Sequence, residues 1–223
     1  HCGAPVDSVF VDLGSSPPSN AYLSQVGLEH PETWYPLRVL VCESCWLVQT
    51  EDFAAASDLF DAEYAYFSGF SSSWVDHCST YAATMAGRFE LGAESTVLEV
   101  ASNDGTLLRF FADRGMSCVG IEPTASTAEA ARGLGLQVVE EFLSVELADR
   151  LVAGGLRADL LAANNVVAHV PDILDFVTAC GRLLKAGGVA TFEFPHVLQL
   201  VDQNQFDTIY HEHFSYLSLA SFE

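Results

Sequence analysis

The chain has 223 residues, half of them hydrophobic, with 9 basic against 30 acidic side chains and a formal net charge of −21. With only 17% charged residues it carries enough apolar material for a sizeable core, which excludes wholesale disorder. Its negative field repels phosphate backbones and argues against nucleic acid as a partner, and without a run of 18 apolar residues no membrane span is expected.

In chain order, His1-Cys2 opens the sequence without an initiator Met or a secretory apolar region, so a piece of a longer cytoplasmic protein is expected. Up to about residue 57, short apolar runs are broken by Pro5, Pro17, Pro18, Pro31 and Pro36. Val39-Leu40-Val41 runs into Cys42 and Trp46-Leu47-Val48 leaves Cys45, which predicts strand, knuckle, strand, the framework of a zinc ribbon. An aromatic lead-in over 58–90 follows. Its serines and Gly69 favour turns, and Trp74, Cys78, Tyr81, Ala82, Met85 and Phe89 fit one helix face. Then strands and helices alternate: strand 96–101, helix 105–115, strand 117–122, helix 125–133, strand 136–140, strand 158–163, helix 173–184 and strand 188–194. That pattern predicts an α/β fold with a doubly wound parallel sheet. Ligands of such sheets bind beyond the carboxyl ends of the strands.

The first of these strands ends Glu99-Val100-Ala101-Ser102-Asn103-Asp104-Gly105. Gly105 permits a tight turn into a helix whose free N–H groups favour an anionic group. Asn103 and Asp104 can accept hydrogen bonds or hold an ammonium. The dinucleotide pattern Gly-x-Gly-x-x-Gly is not met, and one glycine with two polar side chains suits an amino-acid moiety better than a pyrophosphate. Glu122 ends the second strand, where a carboxylate can take both ribose hydroxyls. Asn164-Asn165 closes a later strand, and His169 follows on its loop.

Cys42 and Cys45 have the spacing that puts two thiolates on one zinc. Cys2 is a plausible third ligand, and a fourth would fall upstream of His1. Cys78, Cys118 and Cys180 read as small buried hydrophobes. The run Tyr210-His211-Glu212-His213 is the densest titratable cluster. If extended, it places His211 and His213 on one face, as a catalytic metal would need. Acid–base chemistry suits the same residues.

Taken in order, the Cys-x-x-Cys module, Tyr64-Ala65-Tyr66-Phe67-Ser68-Gly69, the 99–105 loop, Asn164-Asn165 with His169, and Tyr210-His211-Glu212-His213 carry a resemblance. The chain resembles the zinc-containing, S-adenosylmethionine-dependent C-methyltransferases that act on nucleotide-linked 4-keto deoxysugars. The resemblance implies a zinc-binding domain over 1–57 and a class I, Rossmann-like methyltransferase domain over 58–223. A linker after about 205 would lead to a further α/β domain. It implies methylation at C3 of a dTDP-4-keto-2,6-dideoxyhexose in deoxysugar and antibiotic biosynthesis. Zinc would be structural, held by Cys2, Cys42 and Cys45. The cofactor would lie at Glu99, Asn103, Asp104, Gly105, Glu122, Pro123, Phe142 and Asn165. His213 would be the base, with Tyr64 (or Tyr66), Tyr210, Glu212 and His169 around the sugar. Where the general methyltransferase loop often has a glycine, this chain has Ala101. Three other readings stay open: a metal enzyme using His211 and His213, a nicotinamide-dependent 4-ketosugar reductase, and a non-catalytic zinc-ribbon module.

Overall fold

The computed structural model describes residues 1–19, 22–53 and 67–223. These form two compact units. One comprises 1–64, 165–173 and 193–223, the other 65–164 and 174–192.

In the first unit, β1 (Ser8–Ser16), β2 (Tyr35–Val41), β3 (Val48–Thr50) and β9 (Ser215–Tyr216) make one sheet in that order, every neighbouring pair antiparallel. Alternation along β2 sends Leu37 and Val39 into the core while Arg38 stays accessible and pairs with Glu51. Val48, Tyr216, Ile209, Val197 and Leu200 complete this core. The last two come from the short helix Val197–Asp202. The predicted strand, knuckle and strand are present as β2 and β3. The tail residues add β9 to the front sheet, so this unit is discontinuous in sequence.

The second unit is the doubly wound sheet. Its strands are β4 (Thr96–Val100), β5 (Ser117–Ile121), β6 (Gln137–Val139), β7 (Ala158–Asn164) and β8 (Leu184–Glu193), in spatial order β6-β5-β4-β7-β8. The pairs β4–β5, β4–β7 and β5–β6 are parallel. Order reverses at β4, so the crevice between β4 and β7 is the switch point where such sheets bind ligands.

Among the described residues, five helices accompany the sheet: α1 (Ser72–Arg88), α2 (Leu108–Ala112), α3 (Ala125–Gly133), α4 (Val145–Ala153) and α5 (Ile173–Leu183). Ser71 caps α1 by accepting from the Trp74 N–H, and Ser144 caps α4 by accepting from the Leu147 N–H. Phe111, Leu98 and Leu160 sit at the centre of the core with Val97 and Leu108. Helix α2 is shorter than the predicted 105–115. Ala101, Asn103 and Gly105 have φ of 56°, 50° and 78°, a left-handed winding that delays the helix, and Gly115 at 82° ends it.

Candidate functional site

In the sheet unit, the loop after β4 is held from several sides. Glu122, at the end of β5, accepts from the Asn103 N–H at 2.8 Å through one oxygen and from the Thr124 N–H at 2.9 Å through the other. Asn103 Oδ1 accepts from the Ser68 N–H and Asp104 Oδ2 from the Gly69 N–H, at 2.9 and 2.8 Å. Asp104 Oδ1 also takes the Thr106 N–H and hydroxyl. The turn at 68–70 is thereby pinned on the loop. Contact is close: a Cβ on Gly120 would stand 2.4 Å from Ser102 Oγ, and one on Gly105 would stand 2.4 Å from Leu136 Cδ1. Ala101 takes the left-handed conformation without the glycine that makes it cheap.

Glu99 is buried one turn of chain before this loop. Burial holds its carboxyl well above the usual carboxylate range, and the charges of Glu122 and Asp104 push the same way; an N–H from Leu108 opposes them. Glu99 Oε2, Ser102 Oγ and both amide atoms of Asn164 are buried without a hydrogen-bond partner. All four atoms belong to the carboxyl ends of β4 and β7, at the switch point. Buried polar groups are almost always paired, so these await a ligand offering both donors and acceptors. Pro123 lies beside Glu122 in the chain, and Phe142 is half exposed on the loop after β6.

The first unit contains two sites. In the knuckle, the sulfurs of Cys2, Cys42 and Cys45 lie within 4.8 Å of one another, and Cys2 Sγ is 3.6 Å from Cys42 Sγ. Two thiolates on a tetrahedral zinc, each about 2.3 Å from the ion, stand about 3.8 Å apart; a disulfide would need about 2.05 Å. Backbone N–H groups of Cys45 and Ser44 aimed at Cys42 lower its thiol to about 7, whereas burial raises Cys45. The trio fits a structural metal. It is the one group of three or more metal-ligating side chains so placed among the described residues.

The tail site is built on a turn. The His213 N–H bonds to the Tyr210 carbonyl at 3.0 Å, so the run is not extended and its two histidines part. His211 Nε2–H donates to the Pro36 carbonyl at 3.1 Å, with its ring edge-on to Tyr35. His213 Nδ1–H donates to the Thr208 carbonyl at 3.0 Å, and its Nε2 accepts from the Tyr210 hydroxyl at 2.9 Å. Both nitrogens of His213 are thus engaged, and the expected metal face shared with His211 does not exist. Glu212 is buried and accepts from Ser19 Oγ at 2.9 Å. His169 Nδ1–H donates to the Glu212 carbonyl at 2.8 Å, and its ring centre is 4.6 Å from that of His213. Burial, with the neighbouring His169, lowers His213 to about 3; burial also lowers His169. Tyr216 is raised to about 12, chiefly by burial. The His169 and His213 rings are therefore neutral at pH 7. Tyr64 and its competitor Tyr66 lie outside the described residues.

Comparison with known proteins decides the family. Residues 76–223 match a model described as “Methyltransferase domain”, and residues 1–60 match one described as “Putative zinc binding domain”. The chain belongs to the methyltransferase family. It is similar to the C-methyltransferase NovU of Streptomyces niveus, 31% identical over 211 residues, covering 95% of this chain and 50% of NovU. It is also 33% identical over 97 residues to a ubiquinone biosynthesis O-methyltransferase of Chelativorans sp. (strain BNC1), covering 42% of this chain and 37% of that one. A SAM dependent methyltransferase from Archaeoglobus fulgidus shares the fold at TM-score 0.53 and 17% identity, covering 65% of this chain and 63% of that one. The chain thus spans about half the length of NovU.

The sheet unit of this methyltransferase is the S-adenosylmethionine-binding fold, and its orphaned polar atoms fit that zwitterionic ligand. The sequence points to Asn165, just past β7, as a cofactor residue. Asn165 is exposed with φ 53°, whereas the side chain of Asn164 is the one buried and unsatisfied. Ser102 is likewise outside the residues expected at the cofactor. Strand alternation was the available signal: with Ala163 buried among core residues, the amide at 164 falls on the crevice side before the chain turns. No helix among the described residues is long and apolar enough to cross a membrane.

Proposed function

We propose that this methyltransferase transfers a methyl group from S-adenosylmethionine to C3 of a nucleotide-linked 4-keto-2,6-dideoxyhexose, in the cytoplasm, on the way to branched deoxysugars of the antibiotic class. The observation that carries the reading is the state of His213. Its Nδ1–H is committed to the Thr208 carbonyl, so in the neutral ring the lone pair is on Nε2. That is the state a base needs. The C-methyltransferase activity in NovU's name supports carbon as the acceptor atom.

Each residue has a stated task in this reading. Glu99, Ser102, Asn103, Asp104, Gly105, Glu122, Pro123, Phe142 and Asn164 or Asn165 hold the cofactor, which supplies an electrophilic sulfonium methyl when bound. Removal of the C3 hydrogen next to a ketone needs a positioned base and donors for the enolate oxygen. His213 Nε2 takes the proton once the Tyr210 hydroxyl turns from it to the C4 oxygen. A base lowered to about 3 takes that proton only if the enolate forms against such a donor, so the two residues act together. Glu212 orients His169 through its carbonyl, and Tyr64 or Tyr66 is the further tyrosine assigned to the sugar. Cys2, Cys42 and Cys45 hold a structural zinc.

The test is solvent exchange. The zinc-loaded protein, given S-adenosylhomocysteine and a dTDP-4-keto-2,6-dideoxyhexose in deuterium oxide, is expected to deuterate C3. The His213→Asn variant is expected to bind the cofactor product normally and exchange at least a hundredfold more slowly. Normal exchange by that variant removes His213 as the base, and no exchange by either protein removes the substrate assignment.

A further inference from the structure

Thr50 is the link between the metal knuckle and the tail. Cys42 follows β2 directly and Leu47 precedes β3. The Cys42 N–H bonds to the Leu47 carbonyl at 2.9 Å, and the Trp46 N–H bonds back to the Cys42 carbonyl at 2.9 Å. Trp46 has φ 61°, a left-handed conformation that a bulky side chain holds only when its surroundings impose it. Three sulfurs within 4.8 Å repel one another as thiolates and bond weakly as thiols, so a cation is what closes this loop. The strand that leaves the loop, β3, is three residues long, half the usual length. Its register is therefore set at its ends.

Those three residues carry the tail. Val48 pairs with Tyr216 and Gln49 with Ser215. The Thr50 N–H donates to the Phe214 carbonyl at 3.0 Å and Thr50 Oγ1 donates to the His213 carbonyl at 2.7 Å. Every backbone position from His213 to Tyr216 is thus matched to a residue of β3. The Tyr216 hydroxyl in turn accepts from the Tyr210 N–H at 3.3 Å. On the other side of the same turn, buried His211 is tied to Pro36 of β2. From Leu47 to Thr50 is about 10 Å of strand. The two strands joined by the cysteine knuckle grip both sides of the turn that presents Tyr210 and His213.

We propose that Thr50 and His211 are positioning residues, and that metal bound at Cys2, Cys42 and Cys45 sets the alignment of the Tyr210–His213 pair through β3. The proposal rests on the reading of that pair as the acid–base machinery only for its importance to turnover; the alignment itself is measurable without substrate. In a separate zinc domain, metal would affect folding alone. Here it also decides which ring nitrogen of His213 carries the proton.

The experiment uses the whole chain, zinc-loaded and labelled with 15N-histidine, with the ring signals of His213 assigned by loss in His213→Gln. At pH 7.5 a single Nδ1–H tautomer is expected. Removing zinc with a chelator, checked by metal analysis, is expected to shift the tautomer ratio at least tenfold, reversibly on adding zinc back. S-adenosylhomocysteine affinity, reporting the sheet unit, should stay within twofold. Thr50→Val, which keeps zinc and the β3 backbone, is expected to shift the ratio in the same direction, and it decides the matter if chelation unfolds the first unit. Ring-nitrogen shifts unmoved by Thr50→Val, or by verified zinc loss in a chain that stays folded, overturn the proposal. Failure of the acid–base reading would show elsewhere, as unimpaired C3 exchange in His213→Asn.

Discussion

Glu122→Gln separates two roles for the carboxylate at the end of β5. As a ribose ligand alone, Glu122 would matter only when cofactor is present. The structure gives it work without ligand, because its two oxygens accept the N–H groups of Asn103 and Thr124 at 2.8 and 2.9 Å. Glutamine keeps one acceptor and turns an amino group toward the other N–H. One charge-assisted bond, worth about 1.5–3 kcal/mol, is lost and a donor is left facing a donor, a total of about 2–4 kcal/mol. For a chain of this size that is roughly 4–16 °C in melting temperature. The ligand-free variant should therefore melt lower, and calorimetry should show S-adenosylhomocysteine binding weakened about 10- to 100-fold as the 101–105 loop loosens. A variant that melts within 2 °C of the parent, with affinity alone reduced, would refute loop capping and leave only ribose binding.

Three further outcomes are expected. Glu99 has its folded pKa raised above 4.5 by burial, so its contribution to stability is complete below 4.5 and is lost as pH rises through the folded value. Glu99→Gln should flatten that decline, up to about 1.4 kcal/mol per pH unit, in urea unfolding measured from pH 5 to 9. His213 goes the other way: lowered from 6.5 to about 3, it contributes stability above 6.5 that is lost as pH falls toward 3. His213→Gln should reduce the acid-side slope by about one proton, leaving that of His169; an unchanged slope between pH 4 and 6 would mean that the ring titrates freely. Gly105→Ala places a methyl 2.4 Å from Leu136 Cδ1 at φ 78° and should cost about 2–5 kcal/mol. Leu136→Ala in the same chain should recover part of the strain; thermal melts of both variants check it.

The sheet was legible because its strands are short apolar runs bounded by glycines and polar residues, and local pattern decides such elements. Helix α3 has the limits its sequence predicts, 125–133. Helix α4 is not among the expected elements, although Ser144 caps it and Leu147, Ala148 and Leu151 mark one face. The bend of the tail was illegible for a different reason. If extended, Tyr210-His211-Glu212-His213 would put both histidines on one face, but the His213 N–H closes a turn on the Tyr210 carbonyl, and β3, more than 150 residues earlier, anchors that turn. Nothing local in the sequence records a partner at that separation.

Electrostatics explains why the expected residue types could be recognised while their partners could not. With 30 acidic and 9 basic side chains, few cations are available to satisfy a buried carboxylate. The described cations with ion pairs sit at the periphery: Arg38, Arg132, Arg150, Arg182 and Lys185. Glu99 instead relies on protonation and Glu122 on backbone N–H groups, and Glu212 takes the Ser19 hydroxyl among its partners. An acidic residue in the sequence advertises itself, but an N–H donor has no letter. For the same reason the loop after β4 tolerates Ala101 and Asn103 in the left-handed region: Glu122 accepts from the Asn103 N–H and holds the winding that a glycine would have made free. Replacing Ala101 by glycine should then stabilise the ligand-free sheet unit by removing about 1 kcal/mol of strain, partly offset by chain entropy. The gain should be larger in Glu122→Gln, where the loop has lost its clamp, than in the parent. Equal gains in both backgrounds, measured as a double-mutant cycle in urea, would show that the carboxylate does not impose the loop's conformation.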